Sequence, residues 1–276
     1  MRDEAFQFSA KRYVDQPMDR KILEMSSSVT RAVVDLTAGG RLASLQIHDV
    51  DVLVERSDDP VAWGCYPMVP FAGRVRDGAF RFEGNRYDVP KNFGDHAMHG
   101  FGFTSQWTQV ADDTIAYEFV DPWPFAGRVE QHFALDQQHL LMTMQVTAYD
   151  RQPMVLGWHP WFRKTTSLGA ASLQFDPGAM YERGDQPIPT GALIDPTPRP
   201  WDDCFTDVTG APTLSWGSLE LTLQSNASHW VVFDEPEHAI CVEPQTGPPN
   251  AFNLSPIVLD KNEQLTVTLS FEWNMT

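Results

Sequence analysis

The chain has 276 residues, of which 37 are acidic and 20 are basic, so its formal net charge is −17 at pH 7. This charge argues against binding to nucleic acid or to an anionic membrane surface, because the overall field would repel both. We therefore expect a neutral or small ligand. Met1–Asp15 lacks the apolar core of a signal peptide, and no apolar run approaches the roughly 18 residues of a membrane span.

The three cysteines, Cys65, Cys204 and Cys241, are odd in number and have neither C-x-x-C nor metal-ligand spacing. Such cysteines are typical of free thiols in a reducing compartment. The sequence therefore predicts a soluble cytoplasmic protein.

Apolar and polar residues alternate almost throughout the chain, which predicts β-strands rather than helices. The first two predicted strands, 29–36 and 42–47, are divided by a glycine turn, and residues 79–89 predict a hairpin. A helical conformation is compatible only with the first 25 residues and a few short turns. Further strands are predicted at 114–120, 128–135, 139–149, 153–162, 171–176, 218–225, 229–235, 239–245 and 264–273.

More than a dozen predicted strands without βαβ alternation indicate an all-β fold, a large antiparallel β-sandwich of two curved sheets. The 21 prolines cluster between the strands, and residues 176–201 are predicted to form a long loop. A long loop inside a compact domain usually serves a function. No repeat or linker interrupts the pattern, so residues 1–276 are expected to form one domain.

Two glycine-containing stretches carry candidate binding residues. Arg74 follows a glycine in a predicted turn. It is either an exposed arginine or a binding residue whose guanidinium donates several hydrogen bonds to ligand hydroxyls. His96 and His99 have H-x-x-H spacing, but a zinc site needs a third and usually a fourth ligand, and none is evident. We therefore expect no metal. His99 is the better candidate for a ligand contact, because Gly100 and Phe101 follow it directly.

Two predicted strands carry candidate proton carriers. His159 lies between Trp158 and Trp161 in V-L-G-W-H-P-W-F-R, so it is either a packed core residue or a proton carrier beside a sugar ring, whose C–H faces pack on aromatic rings. Glu243 closes a strand before a Pro/Gly segment, where it is either a surface glutamate or a partly desolvated carboxyl. Desolvation would raise the pKa of that carboxyl towards the range of a general base.

Five motifs in order resemble the aldose 1-epimerase (galactose mutarotase) family. They are P-F-A-G-R-V-R-D-G-A-F-R-F-E-G, H-A-M-H-G-F, G-W-H-P-W-F, W-D-D-C-F and C-V-E-P-Q-T-G-P-P-N-A-F-N. The resemblance spans residues 29–273, and the last motif is the most specific. It implies the large galactose mutarotase-like β-sandwich, called a supersandwich, and the interconversion of the α and β anomers of an aldohexose.

The resemblance also implies roles for the two proton carriers. His159 occupies the place of the family's general acid, and Glu243 occupies the place of its general base. Mutarotation requires that the anomeric hydroxyl loses a proton while the ring oxygen gains one, so that the ring opens and closes again on the other face. This chemistry implies no cofactor and no metal.

Further residues match the family's sugar-binding positions. His99 corresponds to a histidine that contacts sugar hydroxyls, and Arg74 corresponds to the arginine of the early turn. Asp202 corresponds to an aspartate of the site, with its neighbour Asp203 as the alternative. The implied ligand is a small sugar, and the implied assembly is a monomer or a weak homodimer.

Two positions depart from the family pattern. Trp161 stands where a tyrosine is usual, and Arg163 stands where an asparagine is frequent. Both are expected to contact the substrate, and the added cation leaves open an anionic sugar, such as a phosphorylated or sulfonated hexose. A second alternative is a carbohydrate-binding sandwich that has lost catalysis.

Overall fold

The computed structural model describes residues 21–184, 186 and 188–276. Alternating side chains form strands along almost the whole of this part of the chain. The strands of its first half are β1 (Ile22–Ser26), β2 (Thr30–Asp35), β3 (Arg41–Ile47), β4 (Val50–Asp51), β5 (Cys65–Met68), β6 (Arg74–Val75), β7 (Ala79–Phe82), β8 (Asn85–Asp88), β9 (Ala97–Met98), β10 (Thr108–Ala111), β11 (Thr114–Glu118), β12 (Gly127–Leu135) and β13 (His139–Ala148).

The second half continues the series and contains one short α-helix, α1 (Ala251–Leu254). Its strands are β14 (Gln152–Met154), β15 (Gly157–Arg163), β16 (Thr165–Thr166), β17 (Gly169–Gln174), β18 (Ala179–Arg183), β19 (Pro189–Ile194), β20 (Asp202–Thr206), β21 (Thr213–Trp216), β22 (Leu219–Ser225), β23 (His229–Phe233), β24 (Ala239–Gln245), β25 (Ile257–Leu259) and β26 (Gln264–Met275). Three turns of 3-10 helix lie at Leu36–Ala38, Arg76–Gly78 and Gly102–Thr104. No helix of the described residues is long and apolar enough to span a membrane.

Two large sheets form the fold. The first has the order β1-β2-β3-β5-β15-β24-β23-β20-β18-β19, with β4 paired to β3, and the second has the order β10-β11-β12-β13-β26-β22-β21-β17-β16. Their strands pair antiparallel, as between β15 and β24 or between β13 and β26. The predicted all-β class and the large antiparallel sandwich are therefore confirmed.

The two faces of β15 meet different surroundings. Trp158 and Phe162 point into the core between the sheets: the Trp158 indole donates to Gln131 Oε1 on β12 at 2.9 Å, and Phe162 packs edge-on against Phe271 of β26. His159 alternates with Trp158, so it lies on the opposite face of the first sheet. The core thus fixes the strand, and the other face is available for a site.

A buried arginine supports the sheet behind this face. Arg41 is 1% exposed, donates to the carbonyl oxygens of Ala38, Trp63 and Phe103 at 2.6 to 3.1 Å, and lies over the Trp63 ring at 4.0 Å. Burial lowers its pKa to about 10. Its three hydrogen bonds join three segments of the chain. The guanidinium also lies 5.1 Å from the centroid of the Tyr66 ring.

Three predictions of local structure are corrected. The prediction of a long loop at 176–201 is wrong in part, because this segment contains the hairpin of β18 and β19. Pro189 begins β19, which is an edge strand, and a proline at this position costs no ladder hydrogen bond. The strand predicted at 153–162 is two strands, β14 and β15, which pair with different partners. Of the region compatible with a helix, residues 1–20 lie outside the described residues, and 22–26 form β1.

Candidate functional site

A cavity of about 510 Å³ lies on the outer face of the first sheet, at β15, β24 and their neighbours. Its size is typical of pockets for small molecules. Most of the site residues predicted from the sequence line it: Arg74, His99, His159, Trp161, Asp202, Glu243 and the alternative Asp203.

His159 lies in this cavity wall within a stack of rings. Tyr66 covers it at 4.9 Å and Trp161 at 5.2 Å, with interplanar angles of 26° and 7°. The imidazole nitrogens carry its chemistry, and Nδ1 has no hydrogen-bond partner. Burial, helped by the charges of Arg41 and Arg74, lowers the pKa of His159 to about 3, so the imidazole is neutral at rest.

Glu243 faces His159 from the neighbouring strand. Its Oε1 lies 3.2 Å from His159 Nε2, and its Oε2 accepts a hydrogen bond from Gln245 Nε2 at 3.2 Å. The sequence predicted a strand end and partial desolvation, whereas Glu243 lies inside β24 and is 2% exposed. Burial therefore raises the pKa of Glu243 well above its usual value, and the charge of Asp202 raises it further.

The contact between Glu243 and His159 is a neutral hydrogen bond at rest rather than an ion pair. Burial favours the uncharged form of each group, so the proton lies on the carboxyl and the imidazole accepts it. Groups this close titrate as a pair. The pair holds one proton over the pH range between its two pKa values, and that proton can move from oxygen to nitrogen across the contact.

His99 and Arg74 enter the cavity from two short paired strands. Arg74 opens β6, which pairs with β9, and His99 directly follows β9 with φ 61°. Gly100 makes this turn possible: its φ is +70°, and a Cβ there would come within 2.2 Å of the Val69 carbonyl oxygen. His99 Nδ1 is buried without a partner, and burial lowers the pKa of His99 well below 6.5.

The two adjacent aspartates have different partners. Asp202 Oδ2 lies 3.6 Å from Arg74 Nη2, so it belongs with the sugar-binding candidates. Asp203 accepts two hydrogen bonds from Arg183, at 2.5 Å from Nε and 2.9 Å from Nη2. This bidentate pair ties the β18–β19 hairpin to the strand that carries Asp202.

Trp161 lines the cavity, whereas Arg163 does not. His159 and His238 both lie nearly parallel to the Trp161 indole, at 5.2 and 6.0 Å, so imidazole rings hold the indole in the cavity wall. Arg163 is not among the described residues that line the cavity. Its Nε donates to the Leu53 carbonyl oxygen at 2.8 Å, and its Nη2 lies 3.9 Å from Glu55.

The H-x-x-H pair does not converge, because His96 Nδ1 accepts the Asp77 backbone N–H at 3.0 Å while His99 lines the cavity. Among the described residues, a different group has ligand atoms within 4.8 Å of one another: His159, Cys241 and Glu243. Burial raises the pKa of the Cys241 thiol well above 9, so both the thiol and the carboxyl would have to lose protons to bind a metal. The trio suits a neutral ligand better than a cation.

The lining residues that sequence reasoning missed include three that contact its candidate residues: Tyr66, Arg183 and Gln245. Gln245 was detectable, because period two places it on the face of β24 that carries Glu243. Tyr66 was not, since its stacking on His159 follows from the pairing of β5 with β15. Arg183 was hidden because its strand was predicted to be a loop.

The chain matches the family model of aldose 1-epimerases over residues 21–272. It belongs to the aldose 1-epimerase family. Over 105 residues, 36% of this chain and 36% of that protein, it is 33% identical to the uncharacterised protein YphB of Escherichia coli K12. The match therefore spans about a third of that curated relative.

Solved structures share the fold. A galactose mutarotase-like protein from Clostridium acetobutylicum superimposes with a TM-score of 0.81 at 16% identity, covering 93% of this chain and 96% of that one. The galactose 1-epimerase of Lactobacillus acidophilus NCFM superimposes with a TM-score of 0.76 at 16% identity, covering 96% of this chain and 98% of that one.

Proposed function

We propose that the protein is an aldose 1-epimerase, an isomerase that interconverts the α and β anomers of a neutral aldohexose. One observation carries the proposal: the buried His159 and Glu243 lie 3.2 Å apart in a cavity of sugar size, next to buried polar atoms without protein partners. Such atoms are rare in protein interiors, and here they supply hydrogen bonds for the hydroxyl groups of a ligand.

In the proposed mechanism, Glu243 takes the proton of the anomeric hydroxyl and His159 gives a proton to the ring oxygen. The working form has the same single proton as the resting pair, moved from Glu243 Oε1 to His159 Nε2. Sugar binding favours this move, because hydroxyl donors and the nearby Arg74 stabilise the carboxylate. The stacked rings of Tyr66 and Trp161 stabilise the imidazolium that results.

Ring opening breaks the bond between C1 and the ring oxygen and leaves an open-chain aldehyde. Rotation about the C1–C2 bond presents the other face of the carbonyl. On closure, the hydroxyl formed from the ring oxygen attacks C1 and gives its proton back to His159, while Glu243 returns its proton to the new anomeric oxygen. Arg74, His99 and Asp202 hold the hydroxyl groups while C1 rotates. Acid and base contribute about 10²–10⁴-fold each to the rate of such proton transfers.

The charges of the cavity favour a neutral sugar over an anionic one. The guanidinium groups among the described lining residues are Arg74 and Arg183, and each already faces a carboxylate, Asp202 and Asp203 respectively. The expected third cation, Arg163, lies elsewhere. A phosphate or sulfonate group in this cavity would therefore find no unbalanced positive charge, and it would lie near carboxylates.

The test is polarimetry on fresh α-anomers of glucose and galactose, compared with their phosphate esters. We expect faster equilibration of at least one neutral sugar and little acceleration of the esters. Faster turnover of an ester would assign the site to an anionic hexose. Binding detected by tryptophan fluorescence without acceleration of any sugar would assign it to a non-catalytic carbohydrate-binding protein.

The proposal includes four wider expectations. The chain acts as a single domain, supported by one cluster of buried side chains that joins both sheets. It works as a monomer or weak homodimer. It is cytoplasmic and needs no cofactor, and its three cysteines, all buried as free thiols, suit a reducing compartment.

A further inference from the structure

Gln245 is a buried amide in the cavity wall, two residues after Glu243 on the same face of β24. It is 0% exposed; its Nε2 donates to Glu243 Oε2 at 3.2 Å, and its Oε1 has no partner. Gly157 lies opposite it in the β15–β24 pairing, and a Cβ at Gly157 would come within 3.0 Å of Gln245 Cγ. The glycine therefore leaves space for the amide side chain in the wall.

We propose that Gln245 is a positioning and specificity residue: it holds the Glu243 carboxylate through Nε2 and accepts a hydrogen bond from the sugar's 2-hydroxyl through Oε1. This inference rests on the proposed epimerase function. It assigns a role to a side chain that the acid–base pair alone leaves unexplained.

The first half of the role follows from the two contacts of the carboxyl group. His159 lies at Oε1 and Gln245 at Oε2, so both oxygens of Glu243 are held and the plane of the carboxyl is fixed. The amide donates to Oε2, which is a stronger acceptor in the carboxylate than in the neutral acid protonated on Oε1, so the hydrogen bond favours the ionised form. An amide does not titrate, and its donor is therefore present at every pH.

The second half follows from the orphan oxygen and from sugar chemistry. A buried carbonyl oxygen without a donor is costly, and a ligand hydroxyl in the cavity removes that cost. Glu243 acts at the anomeric hydroxyl on C1, whose carbon neighbour is C2. An acceptor beside the base, on the side away from the ring oxygen and His159, therefore meets the 2-hydroxyl of the substrate first.

The first test compares pH profiles of the wild type with Gln245→Met and Gln245→Glu. Loss of the amide donor raises the pKa of Glu243, so the working form becomes rarer and the pair loses its last proton at higher pH. For Gln245→Met we expect kcat/KM to fall about tenfold and its alkaline limb to move up by about half to one pH unit, the worth of one hydrogen bond. Gln245→Glu adds a second carboxyl and moves the limb further.

The matched control is Gln224→Leu. Gln224 also donates its Nε2 to a glutamate, Glu272, at 2.9 Å, but both lie on the second sheet and are not among the residues that line the cavity. Its removal should leave the pH profile unchanged. If Gln245→Met lowers only the melting temperature, with the profile of the wild type, Gln245 is structural and the positioning role is refuted.

The second test uses a 2-deoxy aldose. If Oε1 binds the 2-hydroxyl, the fall in kcat/KM caused by Gln245→Met is several-fold smaller on the 2-deoxy sugar than on the parent sugar. Equal losses on both sugars would refute that contact.

A readout independent of turnover separates this inference from the proposed function. Isotope-edited infrared spectroscopy follows the ionisation of the Glu243 carboxyl directly, with Glu243→Gln as the assignment control. If the wild type turns over no sugar yet Gln245→Met still raises the pKa of Glu243, the epimerase proposal fails and the positioning of the carboxyl stands. An unchanged pKa of Glu243 in an active wild type and variant refutes the inference alone.

Discussion

Two buried glutamines, one on each side of the first sheet, show how a core differs from a site. Gln131 lies in the core, 1% exposed, with both ends of its amide used: Nε2 donates to the Gly40 carbonyl oxygen at 2.9 Å and Oε1 accepts from Trp158. Gln245 is equally buried on the cavity face, and its Oε1 has no partner. Both amides are buried, and the oxygen without a partner distinguishes the one on the cavity face from the one in the core.

The same contrast holds for the residues around each glutamine. In the core, Gln131 and Trp158 satisfy each other's polar groups and so stabilise the fold. The cavity face instead combines shifted pKa values with buried atoms that have no protein partner, such as His99 Nδ1 and His159 Nδ1. Changes on the cavity face should therefore alter catalysis, and changes on the core face should alter stability.

The largest expected effect is on the acid–base pair. Glu243→Gln and His159→Ala should each lower kcat/KM by about 10²–10⁴-fold, because each removes one proton carrier. Polarimetry measures the rate, and circular dichroism should report a retained fold. Wild-type rates from folded Glu243→Gln would show that Glu243 is not the base.

The next effect concerns pH and stability. His159 has a usual pKa of 6.5, and burial lowers it to about 3 in the folded chain, so the unfolded chain binds a proton more readily as the pH falls. Over the window from 6.5 down to about 3, the wild type should lose about 1.4 kcal/mol of unfolding free energy per pH unit relative to His159→Asn. Urea titrations of both proteins measure this slope, and parallel slopes would contradict the neutral, buried imidazole.

The core counterpart is Gln131→Leu. It leaves the Gly40 carbonyl oxygen and the Trp158 indole N–H unpaired, and each should cost about 1–3 kcal/mol of unfolding free energy. At a temperature where the variant is folded, kcat/KM should remain that of the wild type. A large loss of kcat in a folded variant would break the distinction between the two faces.

The smallest effect is expected at Arg163. Arg163→Gln should leave KM unchanged and lower the unfolding free energy by about 1 kcal/mol, because it removes the hydrogen bond to the Leu53 carbonyl oxygen, while the pair with Glu55 is loose and contributes little. Arg74→Gln is the comparison, and it should raise KM because Arg74 lines the cavity beside Asp202. A KM raised equally by both changes would return Arg163 to the site.

Period two and the family motifs were sufficient to predict the sandwich and part of the cavity wall, including His159 and Glu243. The strand 239–245 was predicted with the bounds that the structure has, and the same alternation places Glu243 on the cavity face. The same signals did not predict the hairpin of β18 and β19, because its prolines are typical of a loop.

The sequence also did not predict the direction of the Arg163 side chain or the depth at which Glu243 is buried. Alternation places Arg163 on the face of His159 and Trp161, but it lies at the end of β15, where the Leu53 carbonyl oxygen takes its guanidinium. The depth of Glu243 depends on strands distant in the chain that close around it.

Exchange spectroscopy by NMR on an equilibrated neutral aldohexose tests the central claim most directly, because it observes the C1 protons of both anomers without any coupling enzyme. With catalytic amounts of the wild type, we predict exchange cross-peaks between the α and β anomers at a rate that scales with protein concentration, and their loss with Glu243→Gln. Exchange at the uncatalysed rate for every neutral hexose, or equal exchange with the Glu243→Gln variant, would contradict it.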